Sequence, residues 1–306
     1  MALNLALVVM TCLCGAADSA SAPAVGQGNW IFLDNGQIRI GIKRSSGAAI
    51  GWLSAGGAKR NLINHFDHGR LVQQSYYGQR DGSLWAGKPW RWNPVQGGGY
   101  RGESARVLEL KADSSRIYAR TRPCHWATGK QLDDVTMEEW IRLDGPVAHV
   151  RFRFTYRGAR AHPAVDQETP AFFAEPDLET LVVYDGEKPW TGAPVSRSTP
   201  GWPNEGRRMT EGWAAYVDDK DFGAGVYVPI ASRLTCYRYQ EKGSACSYFA
   251  PLATFAVKPG LVFEYDLYLA VGTSEQIRQA FRAVRQLRER PRATTPTSRP
   301  ASLPGL

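Results

Sequence analysis

The sequence predicts an all-β protein: a large antiparallel β-sandwich followed by one C-terminal amphipathic helix. Short runs rich in β-branched and aromatic residues are separated, about every ten residues, by Gly, Pro and Asp turns. This spacing is typical of a sandwich or barrel rather than of β-α-β units. Hydrophobic residues form 43% of the 306-residue chain and aromatic residues 11%, which favours a well-filled core over disorder.

The elements follow from apolar periodicity. We expect strands over residues 30–33, 38–43, 48–53, 71–77, 105–110, 117–122, 136–143, 148–156, 180–184, 212–217, 223–229, 234–239, 244–249, 252–257 and 262–271. Thr273–Gln276 then forms a capping box before apolar residues at helical spacing. Arginines 278, 282, 285 and 288 most simply form the solvated face of that helix. We therefore assign residues 25–272 to the sandwich, 273–290 to the helix and 291–306 to a disordered Pro/Thr/Ser-rich tail.

The first 24 residues are typical of a secretory signal peptide. Their apolar run is too short to span a bilayer, and small residues follow it up to a cleavage site after Ala24. The run lacks a preceding Lys or Arg, and Cys12 lies in a poor context for lipid attachment. We expect export to the periplasm or the medium, without a stable membrane span.

The basic character of the chain is concentrated in its C-terminal part. Of the net charge of +8, residues 276–306 contribute +6 through seven arginines and one glutamate, whereas residues 25–275 carry only +3. A weakly charged body gives little support for a nucleic-acid site, so we expect no nucleic-acid partner.

Three cysteines remain after cleavage: Cys124, Cys236 and Cys246. The last two flank residues 240–243, which predict a hairpin turn. Pairing residue 239 with 243 or its neighbour places Cys236 nearly opposite Cys246, so we expect a disulfide between them in an exported protein. Cys124 is then expected to be a buried, unreactive thiol.

The clearest alternation predicts a hairpin over residues 135–156. The apolar residues of both strands lie on the same face of the hairpin when residue 143 pairs with residue 148. The polar face then pairs Glu138 with Arg153, Trp140 with Arg151 and Arg142 with His149. Such a face is either solvated or, on a concave sheet, a floor for a hydroxyl-rich or carboxylate-bearing ligand. Glu139 falls on the apolar side and needs a buried partner or a strand edge.

Two stretches predict a binding site. Residues 64–78 direct polar groups to both faces of an extended run, which suits a strand bordering a polar cleft or, alternatively, a wetted edge strand. Residues 85–100 place three tryptophans in a Gly-rich loop, where indole rings either stack on pyranose C–H faces or plug the core. The expected substrate-binding residues are Arg70, Gln73, Gln74, Tyr76, Trp90, Trp92, Asn93, Gln96, Glu138, Trp140, Arg151 and Gln167.

The candidate acid–base groups are His65, Asp67, His68 and Glu168. Asp67 and Glu168, the latter expected in a loop, are the pair for glycosidic hydrolysis, in which one carboxyl protonates the leaving oxygen and the other acts as base or nucleophile. For elimination from a uronic acid, a Tyr or His takes the proton and an Arg or Gln neutralises the carboxylate. Residues available for those roles are His65, His68, Arg70, Gln73 and Tyr76.

Other chemistries have weaker support. The spacing of His65, Asp67 and His68 matches no common zinc pattern, so we predict no metal site and no cofactor. The chain also lacks a Gly-Lys-Ser/Thr phosphate loop, a Gly-x-Ser-x-Gly elbow and a strand–Gly-x-Gly–helix fingerprint. These absences disfavour nucleotide-binding and serine-hydrolase functions.

Several short motifs occur in an informative order: Asn35–Lys43, Gly47–Leu53, Gly69-Arg70, Met137–Arg142, Phe222–Pro229 and Pro259–Tyr265. Between Trp30 and Gly272 this order resembles the galactose-mutarotase-like super-β-sandwich superfamily. The resemblance implies a carbohydrate ligand on a concave antiparallel sheet, as in sugar epimerases, non-catalytic domains, and sandwich domains of glycoside hydrolases and polysaccharide lyases. The acid histidine and base glutamate of true mutarotases have no match in residues 167–173 and 246–251, so mutarotation by that pair is not expected.

The function predicted from the sequence is therefore an exported protein that binds a poly- or oligosaccharide and cleaves it, as a glycoside hydrolase or a polysaccharide lyase. Two alternatives are open: a non-catalytic saccharide-binding module, and an envelope structural protein that docks a partner through its Arg-rich helix and tail.

Overall fold

The computed structural model describes residues 28–290, which form two antiparallel sheets packed face to face. The predicted signal peptide and Pro/Thr/Ser-rich tail lie outside the described residues. The first sheet has the order β1-β2-β3-β4-β13-β20-β19-β16, with β7 joining β4 to β10. Its strands are β1 (Trp30–Asp34), β2 (Ile38–Lys43), β3 (Ile50–Ala55), β4 (Val72–Ser75), β7 (Pro94–Val95), β10 (Cys124–His125), β13 (His162–Ala174), β16 (Glu205–Arg208), β19 (Arg233–Tyr239) and β20 (Cys246–Val257).

The second sheet has the order β15-β14-β17-β18-β21-β12-β11-β9-β8. Its strands are β8 (Arg106–Ala112), β9 (Arg116–Arg122), β11 (Val135–Asp144), β12 (Val147–Tyr156), β14 (Thr180–Val183), β15 (Ser196–Ser198), β17 (Trp213–Val217), β18 (Phe222–Tyr227) and β21 (Val262–Thr273). A separate hairpin consists of β5 (Arg80–Trp85) and β6 (Lys88–Arg91), and a short 3₁₀ helix spans Arg44–Ser46. The predicted all-β sandwich is confirmed.

The main core lies between the sheets. Ile40, Ile50 and Phe172 of the first sheet belong to the same buried cluster as Val150 and Leu267 of the second. In β11, Met137, Glu139 and Ile141 point inward, so Glu138 and Trp140 face outward. The predicted register of this hairpin is confirmed, with Leu143 opposite Ala148 and Glu138 opposite Arg153.

Helix α1 (Ser274–Glu289) covers part of the outer face of the second sheet. The predicted capping box is present between Thr273 and Gln276. The helix packs Ile277 and Phe281 against Trp213 and its neighbours in the sheet. Its arginines do not form a free solvated face, because Arg278 is buried in a two-armed ion pair with Glu211 and other helix arginines also bond or stack on the sheet side.

The predicted disulfide is wrong, because the hairpin that carries its cysteines has a different register. Tyr239 pairs with Cys246, so Cys236 lies opposite Phe249 instead of opposite Cys246. The turn is therefore longer than expected, and Cys124, Cys236 and Cys246 are all buried free thiols. Burial raises the pKa of each thiol to about 11, as expected for unreactive cysteines.

Candidate functional site

A cleft of about 660 Å³ lies on the outer face of the first sheet. Its lining comes from β4, β13, β19 and β20, from the loop over residues 64–70, and from the β5–β6 hairpin. The principal side chains are Asp67, Arg70, Tyr77, Trp85, Lys88, Trp90, Asn93, Trp126, Glu168, Phe173, Trp202, Asn204, Tyr237, Tyr239 and Tyr248. A volume of this size suits a small-molecule or oligosaccharide ligand.

Glu168 reaches the cleft from β13, a long strand where the sequence had predicted a loop. Glu168 pairs with Ser75 of β4 and Leu252 of β20, and the register shifts on both sides immediately after it. Pro170 lies within the shift, and because proline lacks an N–H it cannot continue the ladder of hydrogen bonds. Such bulges re-aim side chains next to functional sites, and this one accompanies the turn of Glu168 toward the cleft.

The Glu168 carboxyl is held by two phenols. Its Oε1 accepts hydrogen bonds from the Tyr77 hydroxyl at 3.0 Å and from the Tyr248 hydroxyl. Burial raises the pKa of Glu168, although the tyrosine hydrogen bonds oppose that rise. Burial and the nearby carboxylate raise the pKa of both tyrosines well above 10, so they act as donors rather than as phenolates. The group is thus a carboxyl that keeps its proton to higher pH than an exposed glutamate does.

Asp67 supplies a second carboxylate to the same cleft. Its Oδ1 accepts the backbone N–H groups of Gly69 and Arg70 at 2.8 and 2.9 Å. The Arg70 Nε lies 3.8 Å from Asp67 Oδ2, and its Nη1 donates to the carbonyl of Ala245 at 3.2 Å. These bonds fix the loop, and they place one carboxylate and one guanidinium together in the cleft lining.

Two groups of aromatic rings line the cleft. Trp85 and Trp90 of the hairpin have centroids 4.7 Å apart, and Trp126 lies 6.5 Å from Trp85. The Trp90 indole donates to Asn93 Oδ1 at 3.3 Å, which orients its ring. The second group is centred on Trp202, which packs against Tyr237 with 4.8 Å between ring centroids yet is 57% exposed. Exposed indole faces beside polar groups favour a saccharide ligand.

Of the residues expected at the site, the structure brings Asp67, Arg70, Trp90, Asn93 and Glu168 to this cleft. The two stretches that predicted a binding site, residues 64–78 and residues 85–100, therefore border the same cleft. The first part of the loop predicted over residues 85–100 instead belongs to the β5–β6 hairpin, which begins at Arg80 and ends at Arg91.

Several expected ligand-binding residues are instead buried beside the cleft. Tyr76 packs on Phe154 in the core and donates to Gln74 Oε1, so it cannot stack on a sugar there. Four expected glutamines are hydrogen-bonded by the protein itself. Gln73 donates to the carbonyls of His68 and Arg70, and Gln74 donates to the carbonyl of Glu138. Gln96 donates to the Glu139 carboxyl, and Gln167 bonds the backbone of Tyr77 and Phe255. Trp92 is buried and stacks on His162. These side chains lie beneath the cleft and do not line it.

The other expected residues lie elsewhere. His65 borders a separate shallow pocket near Glu175, and His68 bonds Ser46 Oγ at 2.9 Å, with burial lowering the pKa of its ring. Glu138, Trp140 and Arg151 lie on the outer face of the second sheet, on the other side of the sandwich. The alternation along β11 predicted that they share a face, but not that the cleft lies on the other sheet.

The cleft residues missed by sequence reasoning are mainly tyrosines and tryptophans: Tyr77, Trp85, Trp126, Trp202, Tyr237, Tyr239 and Tyr248. One signal could have found three of them. Since Cys236 and Phe249 face the core, period-two alternation directs Tyr237, Tyr239 and Tyr248 outward. Trp126 and Trp202 lie in loops, and no local pattern indicates which surface they reach.

The described residues provide neither a metal-binding cluster nor a membrane-spanning helix. Within residues 28–290, no group of three or more His, Cys, Asp or Glu side chains is placed to hold a metal ion. Among those same residues, no helix has both the length and the apolar character needed to cross a bilayer.

Known structures share this architecture. A galactose mutarotase related enzyme from Lactobacillus acidophilus superimposes with a TM-score of 0.52 and 11% identity, covering 79% of this chain and 97% of the other. A provisionally assigned aldose 1-epimerase from Escherichia coli K12 gives a TM-score of 0.52 and 12% identity, with coverages of 80% and 99%. No family model and no curated protein matches the sequence. At this identity the likeness shows the fold alone, and that fold is the galactose-mutarotase-like super-β-sandwich.

Proposed function

We propose that this protein binds a poly- or oligosaccharide in the aromatic cleft and hydrolyses it, with Glu168 as general acid and Asp67 as general base. The observation that carries the proposal is one cleft that combines the exposed Trp202 indole and three half-buried indoles with a buried carboxyl of raised pKa. The mutarotase-like fold supports a sugar ligand at the level of architecture.

The proposed reaction uses the two carboxyl groups in opposite protonation states. Glu168 donates its proton to the glycosidic oxygen as the bond from that oxygen to the anomeric carbon breaks. Asp67 accepts a proton from a water molecule, whose oxygen forms the new bond to the anomeric carbon. The products together contain one added water, and the two carboxyl groups exchange protons with solvent to return to their starting states.

Elimination has less support in this geometry. It needs a base that removes the proton next to a uronate carboxylate, and the phenols that contact Glu168 are Tyr77 and Tyr248. Both donate to Glu168, and burial raises the pKa of both. A phenol held in this way is a poor base at neutral pH.

The test is a glycan panel followed by mass spectrometry of the products. Hydrolysis adds the mass of water, whereas elimination adds none. Glu168→Gln should lower kcat by about 10²- to 10⁴-fold while leaving binding intact, since the amide oxygen can still accept from the tyrosines. Asp67→Asn should also lose turnover. The matched controls are Glu187→Gln and Asp133→Asn, because both carboxylates are exposed partners of surface arginines.

Each outcome has a definite meaning. Binding without any product identifies a non-catalytic saccharide module, and an unsaturated product identifies a lyase. Full activity of Glu168→Gln refutes the assignment of the acid. The predicted alkaline limb of the pH profile also tests it, because a general acid loses its proton, and its activity, as the pH rises through its pKa. The proposed place of action is outside the cytoplasm, as the predicted signal peptide implies.

A further inference from the structure

The β5–β6 hairpin carries a concentration of positive charge at the cleft. Trp85, Lys88 and Trp90 of this hairpin contribute to the lining. Its turn has positive φ at Ala86 (49°) and Gly87 (77°), as in the tight turns that match strand twist. The hairpin pairs with neither main sheet, so its side chains are mostly exposed.

Three cations of this hairpin lack a carboxylate partner. Arg80 lies directly opposite Arg91 in the strand register, and like charges in that position are destabilising. No carboxylate among residues 28–290 lies within salt-bridge distance of Arg80, Lys88 or Arg91. The one acid of the hairpin, Asp81, is bound to His125 Nε2 at 2.7 Å.

The rest of the lining does not neutralise this charge. Arg70 and Asp67 offset each other, and the raised pKa of Glu168 favours its neutral form. Lys88 is exposed in the cleft lining. The Arg91 guanidinium lies 5.8 Å from the ring centroid of Tyr77, which is itself part of the lining. Lys88 therefore adds to the lining a positive charge that no carboxylate of the described residues offsets, and Arg91 adjoins the lining at Tyr77.

We propose that the ligand of this cleft is an anionic saccharide, whose carboxylate or sulfate groups bind Lys88 and Arg91. This inference rests on the proposed function, because it names the class of chain that the aromatic cleft accepts. The indoles bind the C–H faces of the sugar rings, and the ammonium and guanidinium groups donate charge-assisted hydrogen bonds to the anionic substituents.

The experiment measures binding by calorimetry to the Glu168→Gln variant, which holds the chain without cleaving it. The probes are oligogalacturonate, which carries carboxylates, dextran sulfate, which carries sulfates, and xylan, which is neutral. We expect at least one anionic chain to bind about tenfold or more tightly than xylan, with affinity falling as salt concentration rises. The preferred anionic probe identifies the substituent.

Lys88→Ala with Arg91→Ala should weaken binding of the anionic chain by about tenfold for each charge-assisted hydrogen bond lost, a larger loss than for xylan, which has no anionic group to lose these bonds. The matched control is Lys111→Ala with Arg116→Ala, which removes two cations from the second sheet. Circular dichroism establishes that each double variant is folded.

The outcomes separate the two proposals. Equal affinity for xylan and the anionic chains, with no effect of the Lys88/Arg91 substitutions, overturns the anionic ligand and leaves the saccharide cleft standing. Absence of binding to every chain overturns both. An equal loss in the Lys111/Arg116 control shows a general effect of net charge, and it likewise refutes a specific role for the hairpin.

Discussion

Glu139 offers a direct test of how this core tolerates a buried carboxyl. Its side chain is fully buried on the inward face of β11, where Oε2 accepts from Gln96 Nε2 at 3.1 Å and Oε1 has no partner among the described residues. Burial raises the pKa of Glu139 from 4.5 to about 8, with the Gln96 hydrogen bond opposing the rise. We expect Glu139→Gln to remove a large pH dependence of the free energy of unfolding.

The sign of this pH dependence follows from the protons bound to Glu139 in the folded and unfolded states. Between pH 4.5 and about 8 the folded protein keeps a proton on Glu139 that the unfolded chain releases, so the free energy of unfolding falls as pH rises through this interval. At ~1.4 kcal/mol per pH unit, the full loss is of the order of 5 kcal/mol. The amide that replaces the carboxyl in Glu139→Gln cannot ionise, so the variant should lack this loss.

Urea unfolding followed by tryptophan fluorescence, repeated across that pH interval, measures the difference between the two proteins. Glu168 and Glu175 also have raised pKa values through burial, and both proteins retain their contribution. The difference therefore isolates Glu139. Glu241→Gln, in the β19–β20 turn, serves as the exposed control. Unfolding free energies of wild type and Glu139→Gln that change in parallel with pH would refute the buried, protonated carboxyl.

Two further predictions concern the helix and the cleft. Arg278→Met leaves the fully buried Glu211 carboxylate without its cationic partner, and we expect a loss of about 3–5 kcal/mol in the free energy of unfolding, measured in urea. Glu289→Gln, which breaks an exposed ion pair in the same helix, should cost under ~0.5 kcal/mol, and equal losses would contradict the buried pair. Trp202→Ala should weaken saccharide binding by about 1 kcal/mol, or fivefold, in calorimetry. Trp140→Ala, on the other sheet, should leave binding unchanged, and the reverse result would place the site on that sheet.

Sequence reasoning succeeded where one face of an element has to be buried. In β11 and β12, shifting the register by one residue would expose the apolar face, so the alternation determines the pairing from Val135 to Tyr156. The same logic located the capped helix and the buried position of Glu139. The same reasoning did not predict β13, because Pro163, Pro170 and the polar residues near them are typical of a loop. In the structure, two neighbouring strands hold this segment extended.

The amino-acid sequence alone is sufficient to predict the fold class, the registers set by alternation, and a group of candidate site residues that includes Asp67, Arg70, Trp90, Asn93 and Glu168. Which of the predicted polar groups face the cleft, and which bond each other beneath it, depends on how the strands pack in three dimensions. Local patterns report burial through period and composition, whereas a cleft is formed by elements distant in the chain. Trp202, Tyr248 and Tyr77 come together because β19 and β20 pair beside β13, and no short segment carries that information.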